Sequence, residues 1–171
     1  MFMLYNIIFL GLMVIILSFI YAGLRAAPWI PAWQRDLERI IKLAEIKPGQ
    51  IFYDLGCGDG RVVCAAAKNG ARAIGFEISL FQYFLACLRV AFSKGPKAKI
   101  IFKDFWDTDL SQADIVYFFL MPKAYFKLQA KLKRELKPGA KVIAYVWPIK
   151  QWEPAKVDKI SEYPVIYSYK L

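Results

Sequence analysis

The sequence predicts a doubly wound α/β domain with a mostly parallel sheet, preceded by one N-terminal transmembrane helix. Two observations support this prediction. After residue 50, apolar strand-like runs alternate with helix-like runs, as expected for a parallel sheet covered on both faces. The first 24 residues contain no charged side chain, and Arg25 is the first charged residue. A helix of this length is about 36 Å long, enough to cross a bilayer core of about 30 Å.

The N-terminal segment has two alternative interpretations. A cleaved signal peptide has a basic stretch before a shorter apolar core, and this segment has no such stretch. A buried core helix of this length would be unusual in a small domain. We therefore expect residues 1–24 to form a transmembrane anchor. The C-terminal domain is then expected in the cytoplasm, because Arg25, Arg35 and Arg39 follow the anchor and positive residues favour the cytoplasmic side.

The composition excludes disorder and leaves the role of the charge open. Hydrophobic residues make up 58% of the 171 residues, enough for one compact domain plus an appendage. Lys and Arg exceed Asp and Glu by 24 to 14, a net charge of +10. This excess indicates either an ordinary basic surface or attraction to an anionic lipid surface. We expect no nucleic-acid partner, because no basic run with a recognition motif is present.

Cysteine and histidine usage limits the possible chemistry. Cys57, Cys64 and Cys87 are an odd, scattered set, typical of free thiols in a cytoplasmic domain. The chain has no histidine, which argues against most zinc sites and removes the commonest general base. We therefore expect no metal site.

The segment between the anchor and the sheet is expected to be a linker followed by one helix, over residues 25–46. "RAAPWIPAWQ" (25–34) is rich in Pro and Trp, and Trp29 and Trp33 suit a membrane interface. Apolar residues then recur at helical spacing from Leu37 to Ala44. The "KPG" at 47–49 ends this helix, so the domain proper is expected over residues 47–171.

Five strands and three helices are predicted in alternation, with a β-hairpin at the end. The strands are expected at 51–55, 71–78, 97–105, 113–121 and 141–147, the helices at 61–70, 80–95 and 123–136, and the antiparallel tail at 156–161 and 164–171. The fourth strand is almost wholly apolar, as a central buried parallel strand should be. Such sheets bind ligands at the carboxyl ends of their strands, where the strand order reverses.

The turn after the first strand has the pattern G-x-G-x-G, formed by Gly56, Gly58 and Gly60. A dinucleotide site prefers G-x-G-x-x-G and binds a pyrophosphate at the helix N-terminus. Here Arg61 stands where the third glycine of that pattern would be. The acidic Asp54 and Asp59 would repel a pyrophosphate, and they suit a cationic ligand: a sulfonium with an α-amino group.

Two further acids are expected at the same edge of the sheet. Glu77 ends the second predicted strand, 17 residues beyond Gly60, where a carboxylate can bind both ribose hydroxyls. Asp104 ends the third predicted strand and could accept a hydrogen bond from an adenine amino group. The alternative is that these acids are solvated turn residues, but acids at three strand ends beside the glycine turn favour a binding site.

These motifs resemble the class I S-adenosylmethionine-dependent methyltransferases over roughly residues 45–171. "KPGQIFYDLGCGDGR", "GFEI", "KDF" and "LKPGAKVIAYV" are similar to successive motifs of that class. The resemblance implies a Rossmann-like seven-stranded sheet and the cofactor S-adenosyl-L-methionine. The cofactor-binding residues it implies are Asp54, Leu55, Gly56, Cys57, Gly58, Asp59, Glu77, Ile78, Asp104 and Phe105.

Finer features resemble one branch, the small membrane-anchored protein-lysine methyltransferases. They are "APWIPAWQRDLERIIKLA", "GCGDGRVVCAAAK", "KDFWDTDL", "FFLMP" and "VWPIKQWEP". Relatives in mitochondria modify the c-type subunit of ATP synthase and the adenine nucleotide translocase. The resemblance implies methyl transfer to a lysine of a membrane protein. Phe105 and Trp147 depart from the expected Leu and Phe, which leaves the substrate open. The alternatives are a lipid or small-molecule acceptor, or a non-catalytic nucleotide-binding membrane protein.

The acceptor amine must be neutral to attack a methyl group. A free lysine has a pKa near 10.4, which an apolar pocket beside a sulfonium lowers. Without histidine, the base could be a carboxylate, a tyrosine or water, and the sequence does not choose among them. The expected substrate pocket lies at the ends of strands four and five, where aromatic faces could guide an ammonium group. Its candidates are Phe119, Met121, Pro122, Trp147 and Pro148.

Overall fold

A computed structural model describes residues 2–25, 30–96 and 98–171. The helices are α1 (Phe2–Arg25), α2 (Leu37–Ala44), α3 (Arg61–Lys68), α4 (Leu80–Phe92) and α5 (Tyr125–Glu135). The strands are β1 (Ile51–Leu55), β2 (Arg72–Glu77), β3 (Lys99–Phe102), β4 (Ile115–Phe118), β5 (Lys141–Tyr145), β6 (Lys156–Asp158) and β7 (Ile166–Lys170). Short 3₁₀ turns cover Gln34–Asp36, Phe105–Asp107 and Pro122–Ala124.

The seven strands form one sheet in the order β3-β2-β1-β4-β5-β7-β6. Strands β1 to β5 are parallel to one another, whereas β7 runs antiparallel to both β5 and β6. This arrangement confirms the doubly wound, mostly parallel sheet and the terminal hairpin predicted from the sequence. The strand order reverses between β1 and β4, so a ligand site is expected above these two strands.

Several predicted elements were too long at their ends. The third strand ends at Phe102, not at residue 105, because Asp104 caps a 3₁₀ turn by accepting a hydrogen bond from the Trp106 amide at 3.0 Å. The fourth strand ends at Phe118 rather than at residue 121. The fifth ends at Tyr145, where Val146 takes a positive φ of 77°. Asp104 and the predicted pocket residues therefore lie on loops beyond the strand ends.

The core has two layers, one on each face of the sheet. Successive residues of a strand point to opposite faces. Tyr53 and Leu55 of β1 accordingly pack in the cluster that includes α5, whereas Phe52 packs in the cluster that includes α2 and α3. Helices cover both faces of the sheet. Their packing against the sheet holds the ends of β1 and β4, and the loops that follow them, in position.

The three glycines of the turn after β1 all have a left-handed backbone. The φ angles of Gly56, Gly58 and Gly60 are 77°, 53° and 76°, a region that side chains with a Cβ rarely adopt. Gly60 also lies under α4, since a Cβ added there would stand 3.1 Å from the Cβ of Ala86. Backbone conformation and the close approach of a helix therefore explain why these positions lack side chains.

Helix α1 is long and apolar, with a mean hydropathy of 2.7. Among the described residues it is the one helix long and apolar enough to cross a membrane, and none of its residues is fully buried. The helix includes Arg25, which was expected to begin the linker. Of the two linker tryptophans, Trp33 precedes a 3₁₀ turn and is 49% exposed, whereas Trp29 lies outside the described residues.

Candidate functional site

Two adjoining cavities lie above the carboxyl ends of β1, β2 and β4. Both are lined by Gly56, Ile30 and Phe119. The first, which we call the α1-side cavity, is also lined by Glu77, Ile78, Asp104, Phe105 and the α1 residues Phe19, Ala22 and Arg25. The second, which we call the β1-side cavity, is also lined by Asp54, Cys57, Gly58, Asp59 and Tyr117. Of the ten expected cofactor-binding residues, Leu55 lines neither cavity, because its side chain is fully buried in the core.

Asp54 is a buried carboxyl without a complete set of partners. Its side chain is 2% exposed, the Val63 amide donates a hydrogen bond to it, and Oδ2 has no partner among the described residues. Burial, reinforced by the charges of Glu77 and Asp59, raises the pKa of Asp54 well above its ordinary value. A buried polar group without a partner costs about 1–3 kcal/mol. A cationic donor in the β1-side cavity would remove this cost.

Tyr117 lines the same cavity and was not anticipated from the sequence. It pairs in register with Asp54 across β1 and β4. Its hydroxyl is likewise buried without a hydrogen-bond partner among the described residues. A phenol inside an otherwise apolar strand is the signal that could have indicated it. Two unpartnered polar groups beside the glycine turn fit the zwitterionic end of an amino-acid-bearing cofactor, which carries both an ammonium and a carboxylate.

Glu77, the last residue of β2, fixes the loops on both sides of the α1-side cavity. Its Oε2 accepts from the Gly58 amide, and its Oε1 accepts from the amides of Ile78 and Ser79, all at 2.8 Å. Burial raises the pKa of Glu77 in spite of these bonds. A carboxylate has about four acceptor positions, so three are used and capacity for a ribose hydroxyl remains.

Asp59 is neutralised by two arginines. Its Oδ2 lies 2.7 Å from Arg61 and 2.8 Å from Arg89. Burial acts to raise the pKa of Asp59, but the hydrogen bonds of Arg61 and the two charges outweigh it and lower the pKa. Arg61 also donates to the carbonyl of Ala32 at 2.7 Å. Arg61, held by Asp59, thus joins the segment before α2 to the glycine turn. Because two arginines compensate the charge of Asp59, this carboxylate has little charge left to bind a ligand.

Asp104 is engaged by the end of α1. Its Oδ2 accepts a hydrogen bond from the Arg25 Nε at 2.8 Å and lies 2.6 Å from the Arg25 Nη2. The Trp106 indole in turn donates to the Arg25 carbonyl at 3.3 Å. The α1-side cavity encloses only about 70 Å³, well below the roughly 300–1,000 Å³ of most small-molecule sites. An adenine at Asp104 therefore requires that the Arg25 side chain move away.

Four of the five expected substrate-pocket residues lie around the ring pair of Phe119 and Trp147. Pro122, Trp147 and Pro148 line a third cavity of about 410 Å³, with Tyr125, Phe126, Gln129, Lys150 and Gln151. Phe119 lines both the α1-side cavity and the β1-side cavity. Its ring also stacks on Trp147, with ring centroids 5.8 Å apart. Phe119 therefore separates the α1-side and β1-side cavities from the third cavity. Met121 lines none of these three cavities.

The nearby tyrosines hold their protons firmly. Tyr125 donates to the Trp147 carbonyl at 3.3 Å, and Tyr145 donates to Asp36 at 2.5 Å. Burial raises the pKa of Tyr117, Tyr125 and Tyr145. A tyrosinate base is therefore disfavoured at these three positions. Within the described ranges, no group of three or more Cys, Asp or Glu side chains is arranged to hold a metal ion.

The sheet order, the left-handed glycine turn and the buried acids define a Rossmann-like S-adenosylmethionine-dependent methyltransferase. Comparison with protein families agrees. A model described as the ANTKMT methyltransferase domain matches residues 54–156, and the chain belongs to that family.

Two curated relatives and one solved structure show the extent of the similarity. A protein-lysine N-methyltransferase of Saccharolobus islandicus is 34% identical over 139 residues, covering 79% of this chain and 86% of that protein. The second relative is a lysine N-methyltransferase of Homo sapiens that is named for the c-type subunit of ATP synthase. It is 36% identical over 132 residues, which cover 76% of this chain and 56% of the relative. The matched region thus spans little more than half of the human protein's length.

The structural neighbour supports the cofactor. An RNA methyltransferase from Salinibacter ruber, crystallised with S-adenosyl-L-homocysteine, is 27% identical with a TM-score of 0.78. The match covers 82% of this chain and 93% of that one. S-adenosylhomocysteine is what remains of S-adenosylmethionine after methyl transfer. The family and this neighbour together identify S-adenosylmethionine as the cofactor, and they favour an enzyme over the non-catalytic alternative.

Proposed function

We propose that the chain is a membrane-anchored protein-lysine N-methyltransferase that transfers a methyl group from S-adenosylmethionine to a lysine of a membrane protein. One observation supports the membrane setting most directly: the last turn of α1, at Ala22 and Arg25, lines the α1-side cavity. A methyl donor bound there would lie immediately beside the membrane helix. The two curated relatives, both named as lysine methyltransferases, support the choice of acceptor.

The cofactor would extend across the α1-side cavity and the β1-side cavity. Asp54 would accept from its ammonium, since Oδ2 is buried and without a partner among the described residues. Glu77 would accept from a ribose hydroxyl, and Asp104 from the adenine amino group once Arg25 has moved away. Ile78 and Phe105 line the α1-side cavity and would flank the base. When bound, the cofactor supplies a methyl group on positively charged sulfur.

The remaining expected residues would shape the turn. The amide of Cys57 donates to the Phe76 carbonyl at 2.9 Å, and that of Gly56 donates to the same oxygen at 3.0 Å. These amides are therefore not free to bind the cofactor, and they tie the turn to the end of β2. Leu55 anchors the turn from the core. Gly56 and Gly58 keep the floor of the β1-side cavity free of side chains.

The acceptor lysine would enter through the third cavity. Its ammonium can lie against the face of Trp147, since cations bind aromatic faces with about 0.5–2 kcal/mol. Phe119 would then exclude water where the amine meets the methyl group. An apolar site beside a sulfonium lowers the pKa of the amine, so the amine can lose its proton to solvent water in the third cavity, before it reaches Phe119, without a dedicated base. Lys123, next to Pro122, donates to the Gly23 carbonyl at 3.4 Å, so this entrance also borders the end of α1.

The anchor would place the domain on the cytoplasmic side. Arg25 ends α1 and two more arginines follow within the next segment, whereas no basic side chain precedes them. The positive-inside rule favours that orientation. The net charge of +10 would also favour an anionic lipid surface.

The test uses the full chain in native membranes with S-adenosylmethionine labelled in the methyl group. We expect label in a membrane protein, recovered as methyl-lysine after hydrolysis. Asp54→Asn and Glu77→Gln should strongly reduce it. The matched control Asp109→Asn should leave it unchanged, because Asp109 is exposed and bonds only Ser111 among the contacts described. Label extractable into organic solvent, or label removed by ribonuclease, would contradict a protein acceptor.

A further inference from the structure

Helix α4 turns an apolar face away from the core. Only Gln82 and Ala86 are buried among its 13 residues. On the opposite side, at a spacing of three and four residues, are Phe81, Phe84, Leu88 and Phe92, which are 41%, 58%, 38% and 84% exposed. We call these four residues the α4 outer face. This spacing places them on one side of a helix, and contiguous exposed apolar patches mark interaction surfaces.

The α4 outer face continues onto α1. The partly buried residues of α1 are Ile15, Ser18, Phe19, Ala22 and Gly23, again at a spacing that defines one side of a helix. The Phe19 ring packs against the Phe81 ring with centroids 5.8 Å apart. The side of α1 that faces the domain therefore runs directly onto the first turn of α4.

The length and the charged end of α1 indicate the depth of this contact in a bilayer. A bilayer core of about 30 Å needs about 20 helical residues at 1.5 Å each. The charged residue Arg25 ends α1, and Phe19 lies six residues before it, about 9 Å along the helix axis, so in a helix that crosses the bilayer Phe19 lies close to the inner boundary of the hydrocarbon. Phe81, in ring contact with Phe19, must lie at nearly the same depth. The start of α4 is thus at the lipid boundary rather than in bulk water.

We propose that the α4 outer face is a second membrane contact, lying in the interface of the same bilayer that α1 crosses. The proposal rests on the membrane anchoring proposed above. Interfacial helices bury an apolar face about 5–10 Å into the boundary between headgroups and acyl chains. The charges agree, because residues 80–98 contain Lys94 and Lys97, besides Arg89 that pairs with Asp59, and no Asp or Glu, which suits anionic headgroups.

This contact determines where the reaction takes place. Ser79 and Gln82, at the start of α4, line the α1-side cavity. Two contacts with the bilayer, one through α1 and one through α4, hold the domain at a fixed tilt. The cofactor is then presented at the membrane surface, so the acceptor is a lysine at the boundary of the bilayer rather than one on a distant soluble domain.

Spin labels on the full chain in lipid nanodiscs test this contact. The background is Cys87→Ser, since Cys57 and Cys64 are buried. Labels are placed at Phe84→Cys and Leu88→Cys on α4. The membrane control is Leu10→Cys within α1. The water control is Lys133→Cys, exposed on α5, which covers the opposite face of the sheet. Retained binding of S-adenosylmethionine verifies that each variant is folded.

The readout is collision of each label with oxygen, which concentrates in lipid, against collision with a water-soluble nickel chelate. We expect the two α4 labels to favour oxygen, as the Leu10 label does, and the Lys133 label to favour nickel. If the α4 labels favour nickel while the Leu10 label favours oxygen, the α4 contact is wrong and the anchor stands. If the Leu10 label also favours nickel, the anchor itself fails. Spin–spin broadening at Phe84 would assign the α4 outer face to a second protein copy and overturn the lipid contact.

Discussion

Replacing Asp54 by Asn should weaken cofactor binding and stabilise the ligand-free protein at the same time. Asp54 is 2% exposed, and its Oδ2 has no partner among the described residues. Its ionised form is therefore disfavoured without a ligand and favoured when an ammonium group lies against it. The amide has nearly the same shape, so the substitution removes the charge and keeps the packing and the hydrogen bond from Val63.

The expected magnitudes follow from this burial. Removing one partner of a buried charged pair costs about 2–5 kcal/mol of binding. We expect the lower part of this range, about 2–3 kcal/mol, since the Asn carbonyl can still accept, which is a loss of affinity of about 30- to 150-fold. The ligand-free variant should gain unfolding free energy at neutral pH, because Asn has no charged form for burial to disfavour, and each kcal/mol gained should raise the melting temperature by about 2–4 °C.

The pH dependence supplies an independent check. Burial raises the pKa of Asp54 above its ordinary value of 3.8, so the unfolded chain ionises first as pH rises. The stability due to Asp54 is thus full below pH 3.8 and lost as pH rises through the pKa in the folded state. Cofactor affinity should rise with pH over the same window, because the ammonium binds the ionised form.

Calorimetric titration with S-adenosylmethionine and thermal unfolding in the same detergent measure both effects. The matched control is Asp109→Asn, which removes an exposed charge outside the cavities. Unchanged cofactor affinity in Asp54→Asn, or a ligand-free variant less stable than the parent, would refute the argument.

Three further substitutions test other parts of the structure. Arg25→Ala should strengthen cofactor binding by up to about fivefold in the same titration, because the ion pair with Asp104, which is open to solvent on its Arg25 side, is weak and must be broken before the cofactor binds; weaker binding would contradict this. Gly60→Ala should lower the unfolding free energy by about 1–3 kcal/mol, measured by denaturant titration, since a positive φ is strained for alanine; an unchanged midpoint would contradict it. Two lysines, Lys141 and Lys156, lower the pKa of Glu45 to about 2. The contribution of Glu45 to stability is therefore lost as pH falls from 4.5 towards 2. Glu45→Gln should flatten the acid unfolding curve in this range, and a curve identical to the parent's would show that the contact is absent.

The sequence was sufficient to predict the sheet, because local patterns determine its elements. The apolar run around β4 and the glycine turn each carry their information in consecutive residues. The ends of elements were less predictable, since they depend on caps and turns. Asp104, for example, was expected to end a strand, but its side chain caps the following 3₁₀ turn. No periodic pattern indicates such a cap.

The site was predictable in its acids but not in their partners. Asp54 and Glu77 could be located because each comes at the end of a strand beside the cofactor turn. The pairing of Asp104 with Arg25 joins residues 79 positions apart, and the Asp59–Arg89 pair joins residues 30 positions apart. Tyr117 was missed because its exposure to the cavity depends on its register with β1. Such contacts are set by tertiary packing, and no local rule reports them.

The most direct test of the central claim is mass spectrometry of membrane proteins from cells with and without this gene. The account predicts at least one lysine, at the boundary of a membrane-spanning segment, that is methylated only when the gene is present. Restoring the gene should restore the methylation, and restoring the Asp54→Asn form should not. Identical lysine methylation in both sets of membranes, with a methylated lipid or small molecule lost instead, would contradict it.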